Sequence, residues 1–338
     1  PGPYLAAAHA ATTDPESGID NTAIQRCWIR DKAWMTYFPY PATHNARNMH
    51  KYWERGEDCP IAFWIGHHPR VLMATQAKLG YPESHWHADG GIIGRPLRLV
   101  PTVSQGEAVM VPADAEIVIE GTVPKDMLVA DGPFGEYTGY LGPQTVASVC
   151  KVTAVTRRRD AIYHDYGSGL DDMLVPDNMV MEGKLFSLVR PVAASLQNVH
   201  VPACGRRFHA YLQLKQPPLG EVRAGLAAAL AYRRVKKVIG VDSDVDIFDE
   251  RSIMWALATR VQWDRDSMLM TGMIGSMLDP SLADGAKTTS KLGIDATVPP
   301  SPADGPSPIP PRSRVPEKAA EEARALLNRF NNEGWPRQ

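Results

Sequence analysis

Surplus charge, paired cysteines, glycine-rich phosphate loops and long apolar runs are all missing from this chain, and each absence removes a class of function. The formal net charge is only −2 and no basic stripe is present, so nucleic acid is not expected as a partner. The four cysteines are scattered at Cys27, Cys59, Cys150 and Cys204, with no CxxC pair. That spacing argues against a zinc knuckle and a disulfide framework. There is no P-loop and no GxGxxG, so a bound phosphate would have to be held in some other way. No apolar run is long enough to span a bilayer and no signal peptide opens the chain, which predicts no membrane association and makes a cytoplasmic location the default.

Glycine and proline are plentiful, and their most informative concentration is Asp131-Gly-Pro-Phe-Gly-Glu136-Tyr-Thr-Gly-Tyr140. It follows an alternating β-branched stretch at residues 115–123, which the period predicts to be a strand. Pro133 removes an N–H, and the glycines permit turns that other residues resist. A stiff loop therefore presents two acids, Asp131 and Glu136. Two nearby carboxylates cannot both ionise cheaply, so one becomes a usable proton donor near neutral pH. Spacing alone leaves open a β-turn carrying two solvated acids.

Upstream, Asp14-Pro-Glu-Ser-Gly18 is a turn signal. Residues 21–29 and 33–38 read as two strands of a hairpin. Thr43 reads as the N-cap of a helix over 46–54. Histidines recur at His67-His68 and at His85-Trp86-His87. Adjacent histidines on a turn point apart, whereas His85 and His87 share a face in a strand and separate in a helix. Trp28, Trp34, Trp64 and Trp86 suit the lining of a ligand pocket, but buried aromatics are more often core.

Together these segments resemble the UbiD family of prenylated-flavin decarboxylases. The resembling stretches are DPESGIDNTAIQR, the helix start at His44, the GHHP turn at Gly66, EIVIEGT, DGPFGEYTGY, VDSDVDIFDERSIMWALATR and SKLGIDAT. They occur in family order over residues 4–297. The resemblance implies prenylated FMN as cofactor, supplied by a flavin prenyltransferase. It also implies Mn²⁺ or Mg²⁺ at the flavin phosphate, with K⁺ as a further ion. Arg26, Asp131 and Glu136 match the catalytic set, with Glu136 as proton donor. Asn21, Ala23, Ile24, Gln25, Arg26, Thr43, His44 and Lys291 match cofactor-binding positions, and Lys291 is expected to reach the flavin phosphate. Asn21 and His44 match two metal ligands. The third family ligand is a glutamate nine residues before the glycine that is here Gly94, and that count lands on His85. Glu83 lies two residues away. A hard cation prefers the acid, while the spacing favours His85. Family members carry a further N-terminal segment, so the resemblance implies that this chain is a fragment or a processed form.

The fold class implied is α+β and α/β. Residues 1–170 would form a flavin-binding split β-barrel domain, 171–196 a connecting helix, and 197–298 an oligomerising α/β domain. Residues 299–338 would form a proline-rich linker and terminal amphipathic helix. Within that frame, residues 61–65, 149–156, 161–164, 198–202, 210–214 and 237–241 read as strands. Residues 69–77, 177–196, 220–232 and 250–260 read as helices. The implied activity is reversible non-oxidative decarboxylation of an aromatic, heteroaromatic or α,β-unsaturated carboxylic acid, releasing CO₂, in a homo-oligomer. Tyr40, Thr43 and residues 174–176 are expected to line the pocket. His164 and Asp171 as contacts to a phenol hydroxyl favour hydroxybenzoate-type acids and a place in aromatic acid metabolism. The competing readings are an ordinary FMN-dependent reductase and a non-catalytic assembly subunit.

Overall fold

The structure, a computed structural model, describes residues 2–282, 286–299, 309–310, 312–313 and 315–333. The chain divides into two compact units, Pro1–Thr297 and Val298–Gln338.

The first part of the larger unit is built on a seven-stranded antiparallel sheet. Its order is Leu128–Asp131, Thr145–Arg157, Ile117–Val123, Cys59–Ile65, His9–Thr13 and Asp20–Ile24, with Trp34–Tyr37 also paired to the long strand Thr145–Arg157. That strand serves three neighbours in succession along its length. Among the described residues no ladder joins the two end strands, so pairing does not close into a ring. Cys59–Ile65 lies at the centre and is buried on both faces. Ile61, Phe63 and Ile65 pack with Met35 and Tyr37, while Ala62 and Trp64 pack with Val71, Leu72 and Trp86. The side chains alternate between the two cores at the strand period of two.

Two expectations fail in this half. Residues 21–29 and 33–38 do not form a hairpin. Asp20–Ile24 pairs with His9–Thr13 and Trp34–Tyr37 pairs with Thr145–Arg157, and the two segments meet through the isolated bridge Ile29↔Met35 and a hydrogen bond from the Trp28 N–H to Thr36 Oγ1. The first strand ends at Ile24; the Gln25 N–H still donates to the Ala8 carbonyl, and the chain then pairs with a different partner, Cys27–Trp28 against Tyr4–Leu5. Residues 161–164 form no strand, and the Ile162 N–H donates to the Glu116 carboxylate instead.

Three helices complete this half. α1, His44–Glu54, starts at the expected N-cap Thr43. α2, Pro69–Ala74, has proline in its first turn as its sequence predicts. α3, His85–Ile93, is capped by Ser84 and ends at Gly94 with φ +77°, a left-handed position suited to glycine.

α4, Asp171–Val189, leads into the second half. It begins six residues before the start that apolar spacing alone gives, Asp177, with Asp171 and Asp172 in its first turn, where the helix dipole favours acids. It ends at Val189 rather than at Leu196, because Pro191 has no N–H with which to continue the helical ladder. The second sheet runs Leu196–His200, His209–Leu214, Lys237–Asp242, Thr288–Asp295, Ser267–Ile274, parallel in the middle and antiparallel at both edges. α4 and α5 (Glu221–Leu230) cover one face through Met181, Leu185, Val189 and Leu226. α6 (Glu250–Arg260) covers the other through Ile253, Ala256 and Leu257. A one-turn helix, α7 (Trp263–Asp266), precedes the last edge strand.

In the smaller unit, α8 (Glu317–Glu333) begins directly after Pro316, as expected. Most of the expected proline-rich linker lies outside the described residues. Among the described residues no helix is long and apolar enough to cross a membrane.

Candidate active site

Arg26 leaves the sheet where its strand breaks and meets both acids of the stiff loop. Its Nε and Nη2 donate to Asp131 Oδ2 at 3.2 and 3.1 Å, and its Nη1 donates to Glu136 Oε1 at 2.6 Å. Its guanidinium also lies 5.2 Å from the Phe134 ring centroid. Asp131 is fully buried, and its other oxygen accepts from Thr36 Oγ1 at 2.9 Å and from the Tyr4 hydroxyl at 3.1 Å. A buried carboxylate needs such partners, because an uncompensated charge there costs several kcal/mol, on the order of 3–5. Glu136 has one partner, Arg26. Burial pushes its carboxyl above the usual range, opposed by the Arg26 charge and reinforced by Asp131. The loop closes as a small hairpin, Phe134–Gly135 against Leu141–Gly142. A Cβ on Gly142 would stand 3.1 Å from Glu136 Oε1, so the bare backbone there gives Glu136 its room.

Glu136 opens onto a cavity of about 220 Å³. Ile24, Phe134, Met173 and Pro176 give it apolar walls, and Gln76, Tyr137 and Tyr166 add polar edges. Its far side is charged. Asp177, on α4, receives Lys78 Nζ at 2.7 Å, Arg207 Nη1 at 2.9 Å and Arg234 Nη1 at 3.0 Å. The three cations hold its carboxyl far below the usual range against the opposing effect of burial. Burial in turn lowers Lys78 and Arg207, which Asp177 opposes. Arg206 and Arg207 both have positive φ, 48° and 65°, a conformation that costs non-glycine residues about 1–3 kcal/mol each. Sequence reasoning missed this cluster. One signal was available: Asp177 falls on the same helical stripe as Leu174, Met181 and Leu185, where a core residue belongs.

The expected metal ligands form a second group. Asn21 is buried and donates to Asn45 Oδ1 at 2.6 Å, beside His44. The His44 and His85 ring centroids are 6.5 Å apart. His85 is buried, burial lowers its pKa to about 4, and its Nδ1 has no partner. Glu83 is exposed, and its carboxylate accepts from the Gly80 N–H at 2.9 Å. His87 is exposed on the other side of α3. Asp89, one turn after His85, is wholly buried with both oxygens unpartnered, and burial, then Asp20, raises its pKa to about 8. Among the described residues no three His, Cys, Asp or Glu side chains converge as a ligand set. The donors therefore fit an ion in part: Asn21, His44 and the orphaned imidazole of His85 would hold it, with anionic oxygen coming from a bound phosphate. The acid Glu83, favoured on chemistry, is turned to another task.

Lys291 also departs from expectation. It is buried, and its ammonium donates to the carbonyls of Leu230 and Tyr232 at 2.8 Å and of Arg233 at 3.4 Å. It ties off the end of α5 and does not line the cavity. Thr43 serves as a cap, and of residues 23–25 only Ile24 lines the cavity. None of Trp28, Trp34, Trp64 and Trp86 lines it either, and Trp64 is core. Of the expected pocket residues, Pro176 is present, whereas Tyr40, Leu174, His164 and Asp171 are not.

Comparison with known proteins identifies the family. The family model described as UbiD, 3-octaprenyl-4-hydroxybenzoate carboxy-lyase Rift-related domain, matches residues 1–170. The corresponding C-terminal domain matches residues 178–296. The chain belongs to the UbiD family of carboxy-lyases. Among UbiD relatives it is 31% identical over 304 residues to an anhydromevalonate phosphate decarboxylase of Methanothermobacter thermautotrophicus, covering 88% of this chain and 70% of the relative. It is 30% identical over 316 residues to a phenolic acid decarboxylase of Escherichia coli O157:H7, covering 89% and 65%. The UbiD-class enzyme HmfF from Pelotomaculum thermopropionicum, solved in complex with FMN, superposes with a TM-score of 0.88 at 34% identity, covering 94% of this chain and 70% of that one. An evolved dimeric form of HmfF, in complex with prFMN, superposes with a TM-score of 0.82 at 32% identity, covering 94% and 69%. The chain thus spans 65 to 70% of the length of these relatives.

Proposed function

We propose that this UbiD-family chain catalyses reversible, non-oxidative decarboxylation of an aromatic, heteroaromatic or α,β-unsaturated carboxylic acid with prenylated FMN. The carrying observation is Arg26 held between Asp131 and Glu136, with Glu136 in turn lining a cavity with apolar walls. Loss of CO₂ from an sp² carbon leaves electrons that side chains cannot accept, and prenylated FMN, when bound, supplies that sink. The apolar walls suit a flat ring system, and Arg26 supplies a planar, permanently charged group for the carboxylate of the substrate. Asp131 fixes the guanidinium from behind through two contacts. Glu136, shifted toward its protonated form, delivers a proton to the carbon that CO₂ leaves, and takes it back in the carboxylation direction. A hydride-transferring reductase has no use for this acid pair, which disfavours the ordinary FMN reading. Two expected phenol contacts, His164 and Asp171, stand outside the cavity lining, so hydroxybenzoates hold no advantage over other acids.

The test is production together with a flavin prenyltransferase, followed by the flavin absorption spectrum and CO₂ release from a panel of the three acid classes. Proton–deuterium exchange in the decarboxylated product, at the carbon that carried the carboxylate in the substrate, reports the reverse proton step. Flavin-loaded protein that neither releases CO₂ nor exchanges protons refutes the proposal. NAD(P)H oxidation by the same preparation would favour the reductase.

A further inference from the structure

Resting on the proposed function, we infer that the substrate carries a second anionic group, a carboxylate or a phosphate, which is received by Lys78, Arg207 and Arg234 while Arg26 holds the carboxylate that is lost. Set beside Arg26 and its two carboxylates, which carry one negative charge in excess, the three cations and their single shared carboxylate, Asp177, leave one positive charge without an acid partner. All four groups line the cavity that Glu136 opens onto. Glu136 is the other acid in that lining, and it is paired with Arg26. Arg207 is buried, whereas Lys78 and Arg234 keep 26% and 35% of their side chains exposed, so a ligand anion entering the cavity can reach the unmatched charge.

The cluster has the character of a receiving site more than of a structural ion pair. Arg207 is 7% exposed, yet its buried Nε has no partner. Its guanidinium lies 4.7 Å from the ring centroid of Tyr137, the residue after Glu136, which fixes its plane. Its backbone is kept in a left-handed conformation to put it there. The donors also come from separate parts of the chain: Lys78 follows α2, Arg207 follows a short turn at Ala203–Gly205, and Arg234 precedes Lys237–Asp242. Planar guanidinium forks suit carboxylate and phosphate oxygens. The flavin phosphate is the other anion of this chemistry. Its expected holders, Asn21, His44 and His85, lie outside this cavity lining, whereas the reacting acid Glu136 lies within it.

Calorimetry on flavin-loaded protein tests the inference with two pairs of ligands: benzoate against terephthalate, and crotonate against 4-phosphooxycrotonate. The dianion of at least one pair is expected to bind at least about tenfold more tightly, the gain of one charge-assisted contact. Arg234→Met should reduce that ratio to below about threefold, and Lys78→Met should do the same if the arginine variant does not fold. Equal affinities within both pairs, or a preference that survives both substitutions, would overturn the inference. On flavin-free protein, FMN is compared with riboflavin. If Arg234→Met weakens FMN but not riboflavin, the cluster holds the flavin phosphate and the substrate assignment is wrong. Because binding is the readout, absence of turnover with every acid would count against the proposed function alone.

Discussion

Asp89→Asn should stabilise the flavin-free protein, by an amount that grows with pH. Asp89 is buried on α3 with neither oxygen partnered, and its pKa rises from 3.8 to about 8. Between those values the unfolded chain carries the charge and the folded one keeps the proton. A raised folded pKa contributes stability that is fully present below 3.8 and is lost as pH rises through about 8. The loss is about 1.36 kcal/mol per pH unit. By pH 7 it amounts to roughly 4 kcal/mol. Asparagine has the same shape and cannot ionise. Its amide is as unpartnered as the neutral acid was, at about 1–3 kcal/mol, so that cost nearly cancels. The two proteins should be close in stability near pH 4 and differ by roughly 2–4 kcal/mol at pH 7, with the variant the more stable. Urea unfolding of both proteins at pH 5, 6, 7 and 8 measures this. A difference that does not change with pH would refute an unpaired carboxylate at this position.

Other outcomes follow from the same geometry. Glu136→Gln keeps the shape and an acceptor for Arg26, so flavin absorbance should persist while turnover falls by about 10²–10⁴-fold, as loss of a general acid requires; CO₂ release near the wild-type rate would remove Glu136 from its role. His85→Ala should lower Mn²⁺ content and flavin retention more than Glu83→Ala, because the His85 imidazole is buried with a free nitrogen whereas Glu83 caps Gly80; metal analysis of both purified variants decides between them. Thr36→Val removes one of two hydroxyl donors to Asp131 Oδ1 and should cost about 1–3 kcal/mol in urea unfolding. No change there would mean that the Tyr4 hydroxyl alone satisfies that oxygen.

Sequence reasoning reached furthest where local rules and tertiary structure agree. Thr43 could be read as a cap because its hydroxyl sits just ahead of a helical run. Asp131 and Glu136 could be singled out because they share a stiff Gly/Pro loop, whereas Arg26 was joined to them only through the resemblance to the UbiD family. The false hairpin shows the limit. Residues 21–29 have strand composition throughout, yet they pair first with His9–Thr13 and then with Tyr4–Leu5, partners that local composition does not reveal. Likewise, Lys291 looked like a phosphate contact within its motif. Only the fold places its ammonium under the end of α5, where three carbonyls satisfy it. The Asp177 cluster was hidden for the same reason, since nothing local ties Lys78 to Arg234.

That cluster also separates two kinds of change open to the protein. Under the proposed function the proton chemistry belongs to Arg26, Asp131 and Glu136, which come from the first sheet and its loop. Arg207 and Arg234 belong to the second sheet's connections, and Asp177 to the helix between the sheets. Drift in the second set can alter which molecules are accepted without disturbing the proton chemistry in the first. A lineage built this way can change its diet one arginine at a time, with Asp177 the residue it is least free to lose.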